Sequence, residues 1–221
     1  MYLQLKELLG AADVARLAEI ARQIKFADGR ATNPAALAKN NLQADYTDPL
    51  YAESSEIMMN ALARSEEFQD FTLPRTVAPP LLAKYEPGMK YGAHADAAMM
   101  EIGGEPLRSD LSCTIFLADP RTYEGGELVI HNGLQALPVK LLPGHAVVYP
   151  STTLHEVAPV RQGVRLVGIT FIQSFVADEA KRDILFELGE ISAIEGANMD
   201  WLSRTRLEVA RQNLMRMWAE T

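Results

Sequence analysis

The sequence predicts a mainly β protein with flanking helices: a jelly-roll core, helical support ahead of it and a small helical module after it. Three observations lead there. Between about residues 76 and 177, short runs rich in β-branched and aromatic residues alternate with Gly, Pro and Asn turn signals. Before and after that stretch, apolar residues recur at helical spacing instead. The length, 221 residues, allows one sizeable core plus a small appendage. The expected division is a main unit over 1–177 and a helical C-terminal domain over 178–221.

Leu5, Leu8, Leu9, Ala12, Leu17, Ile20, Ala21 and Ile24 carry the helical period over residues 5–26. The helix is expected to break near Gly10 and resume with Asp13 in its first turn, and Asp28-Gly29-Arg30 stops it. Asn33-Pro34 reads as a turn, and Ala38 to Gln43 as a turn and short strand. A second helix is predicted from Pro49 to Phe68, with Ile57, Met58, Ala61 and Leu62 on one side. A Met-containing stripe at that period is core rather than cofactor contact. Pro79 to Tyr85 enters a strand and Glu86-Pro87-Gly88 turns it. Further strands are expected over 111–117, 126–131, 146–149 and 164–172, with a hairpin at Asn132-Gly133 and a turn at Pro143-Gly144. Asp178-Glu179 opens a helix in which Ile184, Leu185 and Leu188 align, and Gly196-Ala197-Asn198 breaks it. The last helix runs from Asp200 to Ala219 with Leu202, Val209, Leu214, Met217 and Trp218. This tail either caps the barrel or pairs with a second copy, giving a homodimer through the C-terminal helices.

Composition excludes several classes of function. A net charge of -8 argues against a nucleic-acid backbone as the main partner. No apolar run approaches membrane-spanning length, and Met1 to Glu7 lacks the pattern of a secretory leader. Cys113 is the sole cysteine, so no internal disulfide can form. A cytoplasmic protein fits these facts.

The chemistry centres on Tyr91-Gly92-Ala93-His94-Ala95-Asp96. On an extended strand, His94 and Asp96 project from the same face. His155, after Val147-Val148-Tyr149-Pro150, can add a second imidazole from another strand. Two His and one carboxylate with open positions opposite suit non-haem Fe(II) oxygenase chemistry. Arg165 stands ten residues past His155, a spacing that suits two consecutive strands joined by the Arg161-Gln162-Gly163 turn; it sits among Val, Leu and Ile, and an interior guanidinium needs an anion. That anion is either an internal carboxylate or the far carboxylate of 2-oxoglutarate, which a planar fork grips in two places. Tyr85 either packs in the core or adds a phenol donor to the same group. Ser112 and Thr114 share a strand face that could line the pocket. His131, at a hairpin turn, and His145, after Pro143-Gly144, are read as non-ligands. The ligand set also accepts zinc, so a zinc-dependent hydrolase and a non-catalytic metal-binding sensor stand beside a dioxygenase. A carboxylate at Asp96, where a halide-binding site would need a small non-ligating residue, favours hydroxylation.

These residues together resemble the PKHD-type hydroxylases, bacterial relatives of prolyl 4-hydroxylase in the Fe(II)/2-oxoglutarate dioxygenase superfamily. The resemblance rests on Leu81 to Ala97, Arg108-Ser109-Asp110-Leu111-Ser112, Phe116 to Pro120 and Tyr123 to Leu128. It continues through Val139-Lys140-Leu141, Val148-Tyr149-Pro150-Ser151, Leu154-His155-Glu156-Val157 and Ile172-Gln173-Ser174, and includes Lys39-Asn40-Asn41. It spans nearly the whole chain; His131 and His145 depart from positions that are commonly acidic or polar. The resemblance implies a double-stranded β-helix, Fe(2+) held by His94, Asp96 and His155, and 2-oxoglutarate held by Arg165. It further implies O2 as co-substrate, L-ascorbate as a supporting reductant, and a small-molecule or peptidyl substrate, a prolyl group by analogy.

Overall fold

The computed structural model describes residues 1–32 and 38–220; the turn expected at Asn33-Pro34 lies outside them. The chain begins β1 (Leu3–Leu5), α1 (Ala11–Gln23), β2 (Phe26–Asp28), a 3-10 turn (Gly29–Thr32), β3 (Lys39–Asn40) and β4 (Leu42–Ala44). Two helices follow, α2 (Pro49–Arg64) and α3 (Glu66–Thr72). The strand-rich part opens with β5 (Pro74–Val77), β6 (Leu81–Tyr85), β7 (Lys90–His94), β8 (Met99–Ile102), β9 (Glu105–Arg108) and β10 (Leu111–Phe116). Next come β11 (Glu124–Gly125), β12 (Leu128–Asn132), β13 (Gln135–Val139) and β14 (Ala146–Pro150). It closes with β15 (His155–Val157), β16 (Val160–Gln162) and β17 (Arg165–Ser174), before α4 (Glu179–Glu195) and α5 (Trp201–Trp218).

Two antiparallel sheets carry the architecture. The larger has eight strands in the order β1-β14-β10-β17-β6-β4-β2, with β5 also on β17; the smaller runs β13-β12-β15-β7-β3. The period of two along each strand sorts side chains between two cores. In β10, Leu111, Cys113 and Ile115 point to the helices, while Ser112, Thr114 and Phe116 point to the smaller sheet. The outer core packs Leu17, Ile20, Met58, Leu62, Phe68, Phe71 and Phe186 of the helices on that sheet. The inner core joins Tyr85, Phe116, Val147, Tyr149 and Val167 to Leu128, Ile130, Val139 and Val157 of the smaller sheet. This is the predicted double-stranded β-helix with helices buttressing one face.

Local chemistry sets the helix starts. Asp48 Oδ1 accepts the Leu50 N–H at 2.9 Å with Pro49 in the first turn; Asp178 and Asp200 cap α4 and α5 in the same way. Gly133, at φ +62°, turns the expected β12–β13 hairpin.

The structure corrects four expectations. Leu5 belongs to a strand, not a helix: β1 pairs with β14, and its short apolar run serves sheet and helix periods equally well. The helix expected over 49–68 breaks at Ser65, whose hydroxyl accepts the Phe68 N–H at 3.2 Å and starts α3. Asp96 lies beyond the end of β7, so it does not share a strand with His94. Finally, β16 intervenes between His155 and Arg165, which sit in different sheets.

Candidate metal centre and co-substrate pocket

His94 closes β7 and His155 opens β15, and the two are direct cross-strand partners. Their rings lie 4.3 Å apart, centroid to centroid. The loop after β7 brings Asp96 to them, held by its own N–H on the Ser151 carbonyl at 3.1 Å. Asp96 Oδ1 stands 3.8 Å from His94 Nε2, and Oδ2 stands 3.7 Å from His155 Nε2. These separations are too long for hydrogen bonds, yet the three ligand atoms all lie within 4.8 Å of one another. That is an arrangement for a shared ion.

The backbone commits both histidines to it. His94 Nδ1 is 2.8 Å from the Gly92 carbonyl, and His155 Nδ1 is 2.9 Å from the Thr153 carbonyl. A carbonyl only accepts, so each Nδ1 carries the proton and each Nε2 lone pair is left for a metal. Burial, and then the neighbouring His155 ring, push the His94 pKa down, which keeps it in the neutral form that ligation needs. Tyr91 stacks on His94 at 3.5 Å and 18°, and Tyr149 stands edge-on to His155 at 5.0 Å. Both rings are therefore fixed before any ion arrives.

A serine chain holds the carboxylate. Ser112 Oγ donates to Asp96 Oδ2 at 2.5 Å, and Ser109 Oγ donates to Ser151 Oγ at 2.7 Å. Ser112 has spent its proton, so Ser151 must be the donor in the 2.7 Å bond between them. Every hydroxyl thus points toward Asp96. Ser112 is the pocket-lining candidate that ordinary strand composition also explains; Ser109 and Ser151 were not singled out, because only the folded chain brings Ser151 to the segment that carries Ser109 and Ser112.

Arg165 opens β17 opposite Tyr85 of β6. It is only 2% exposed, and among the described residues it makes no ion pair; its Nε lacks any hydrogen-bond partner. Its guanidinium lies 4.9 Å from the Tyr85 ring centroid and 5.8 Å from that of Phe116. Gly126, at φ +67°, leaves room for it: a Cβ there would stand 3.1 Å from Arg165 Cδ. A buried cation without an anion is costly, and Arg165 is one. Burial pushes the Tyr85 phenol up, preserving it as a donor, although Arg165 and the Asn41 side chain act the other way. Tyr149, hydrogen-bonded with Thr114, is raised further by burial and by Asp96.

Lys39 is a second buried cation near the centre, not singled out from its side-chain chemistry although it falls in the Lys39-Asn40-Asn41 motif. It is 6% exposed, and its Nζ lies 5.7 Å over the Tyr91 ring that stacks on His94. Burial lowers its pKa to about 8 against the opposing pull of Asp96 and Asp28. His131 and His145 stay outside the cluster, as expected. His131 faces Glu156 at 3.7 Å, and His145 follows the Gly144 turn. Cys113 points into the helix-side core, where burial pushes its thiol up to about 12 and leaves it inert.

A family model described as the 2OG-Fe(II) oxygenase superfamily matches residues 80–173, the span that holds every one of these site residues except Lys39 and Asn41. A PKHD-type hydroxylase from Sphingopyxis alaskensis is 46% identical over 215 residues, covering 97% of this chain and 98% of its own. The chain belongs to the PKHD-type hydroxylase family. A second such hydroxylase, from Thioalkalivibrio sulfidiphilus, is 40% identical over the full length of both chains. The fold also matches a Pseudomonas putida prolyl-4-hydroxylase at 18% identity, with a TM-score of 0.57 over 78% of this chain and 92% of that one. Membership makes the protein a 2-oxoglutarate- and Fe(II)-dependent dioxygenase of the hydroxylase type, and the zinc-hydrolase and non-catalytic readings give way to it. The donor set fits: two neutral imidazoles and a carboxylate suit Fe(II), and an unpaired buried arginine suits a dicarboxylate.

Proposed function

We propose that His94, Asp96 and His155 hold Fe(2+), that Arg165 and Tyr85 hold the far carboxylate of 2-oxoglutarate, and that a C–H bond beside them is hydroxylated. The observation that carries this reading is the cluster itself, with both Nε2 lone pairs turned to one carboxylate. Bound Fe(II) supplies activation of O2, coupled to oxidative decarboxylation of 2-oxoglutarate to succinate and CO2. The protein's residues supply placement. Arg165 offers two parallel N–H donors to the distal carboxylate, and Tyr85, protonated, offers a third. The Tyr91 and Tyr149 rings clamp the imidazoles, and the inner core excludes water from the buried side of the pocket.

Residues 1–177 form the catalytic unit in this reading, with the jelly-roll core over about 76–177, and residues 178–221 the helical module docked on it through α4. The substrate is a small molecule or peptide bearing a prolyl or other amino-acid-like group. Two structural neighbours support that range: a Trichoplax adhaerens prolyl hydroxylase in complex with a peptide, and HygX with hygromycin B bound. L-ascorbate serves as supporting reductant, and the location is cytoplasmic. No helix among the described residues is long and apolar enough to cross a membrane.

Anaerobic addition of Fe(II) and then 2-oxoglutarate should produce a visible charge-transfer band that needs both. The band should weaken in Arg165→Ala and vanish in His155→Ala. Folded protein that develops no band would overturn the assignment.

A further inference from the structure

The two C-terminal helices leave a surface that nothing in the catalytic reading uses. They form an antiparallel pair: Lys181 lies over the Trp218 ring, Ser192 Oγ donates to Glu208 Oε1, and Gly196 sits against Arg204. Only α4 is anchored in the main core, through Leu185 and Phe186. In α5 no side chain among 18 residues is buried. Helices in proteins are held mainly by packing an apolar face, and α5 packs on α4 only through half-buried side chains, Leu207, Leu214, Met215 and Trp218.

The uncovered residues are apolar and charged in a specific division. On α4, Ile184, Ile191 and Ile194 are exposed, with Ile194 at 67%; on α5, Trp201, Leu202, Val209 and Met217 are exposed, with Trp201 at 79%. The α4 segment has five acidic and two basic residues, and α5 has four basic and one acidic. Glu187, Glu190 and Glu195 of α4 make no ion pair among the described residues, nor do Arg204, Arg206 and Arg216 of α5.

We propose that this face joins two copies of the chain, α5 of each lying on α4 of the other in a two-fold, four-helix contact. An acidic peptide would fit α5 but leave the acidic, apolar stripe of α4 uncovered. An anionic lipid surface would attract α5 and repel α4. A second copy satisfies both helices at once, because a two-fold interface presents each surface to its complement.

Two variants of the full-length chain test this: Arg206→Glu with Arg216→Glu, and Glu187→Arg with Glu190→Arg. The parent should sediment at twice 24.4 kDa at micromolar concentration. Each charge-reversed variant, checked for helicity by circular dichroism, should dissociate at least tenfold more readily. Mixed in equal amounts, the two variants should recover a dimer, since each then offers the charge that the other lacks. A parent that stays monomeric would falsify the proposal. So would a dimer indifferent to both reversals, or a mixture of folded variants that does not associate.

Discussion

His94 and His155 meet the same requirement in the same way, each giving its Nδ1 proton to the carbonyl two residues back. Asp96 is oriented by hydroxyls instead, which makes Ser112 a sensitive position. Removing its hydroxyl in Ser112→Ala leaves one carboxylate oxygen without its 2.5 Å donor. Metal affinity should fall about 10–100-fold, the usual cost of losing an outer-shell partner, while circular dichroism stays unchanged. Anaerobic calorimetry with Co(II) reads this directly, and an unaltered affinity would remove the serine chain from the site's design. Lys39 gives a prediction with pH. Below pH 8 it is protonated in both folded and unfolded chains, and the metal-free fold bears the burial penalty. Between pH 8 and its ordinary value of 10.5 the unfolded chain binds more protons, so stability gains with rising pH. The advantage of Lys39→Met over the parent in urea unfolding should therefore be largest near pH 7 and shrink by pH 10. An advantage independent of pH would mean that the charge is not the cause. His94, Asp96, His155 and Arg165 could be picked out because their residue types and spacings are distinctive. Ser109 and Ser151 could not, since hydroxyls 42 residues apart meet only in the folded chain.

Elements show where periodicity informs and where it misleads. The pattern over 111–116 and 165–174 is strong because both faces of these strands are covered, one by helices and one by the smaller sheet. β1 was misread because three residues cannot establish a period, and β14 alone decides their conformation. The pairing of His94 with Asp96 was right in outcome and wrong in cause: the turn past β7, fixed by the Ser151 carbonyl, does what a shared strand face was expected to do. Helix-to-sheet fit depends on a glycine. A Cβ at Gly168 of β17 would stand 2.3 Å from Met58 Sδ of α2, and Met58 is fully buried in the outer core. Gly168→Ala should cost about 1–3 kcal/mol by overpacking. Combined with Met58→Ala it should cost clearly less than the sum of the single changes, because each relieves the other. Additive denaturant midpoints would show that the sheet and helix move apart freely.

Across the whole molecule, the fold class was legible because many short strands with regular turns admit few closed architectures, while the way the helical tail attaches was not. Phe186 sits edge-on to Phe71 at 5.1 Å and belongs to the same buried cluster as α1 to α3, so α4 is continuous with the main core. Arg182, also buried on α4, donates to the Val176 and Ala177 carbonyls at 2.7 Å and ties the helix start to the end of β17. By contrast α5 adds no buried side chain: Arg211 pairs with Asp70 of α3, and Glu220 beyond the helix pairs with Arg108 and gives its N–H to the Phe175 carbonyl, all partly exposed. The two helices should therefore differ sharply under truncation. A chain ending at residue 196 should unfold cooperatively within a few degrees of the parent, since the exposed pairs of Arg211 and Glu220 contribute at most about 1 kcal/mol each. A chain ending at residue 177 loses Leu185 and Phe186 together, and core truncations of that size cost about 3–5 kcal/mol each, comparable to the whole stability of a domain. It should precipitate or melt far below the parent in a thermal scan. If the shorter chain instead melted with the longer one, the helical tail would be an independent unit and its contact with Phe71 incidental.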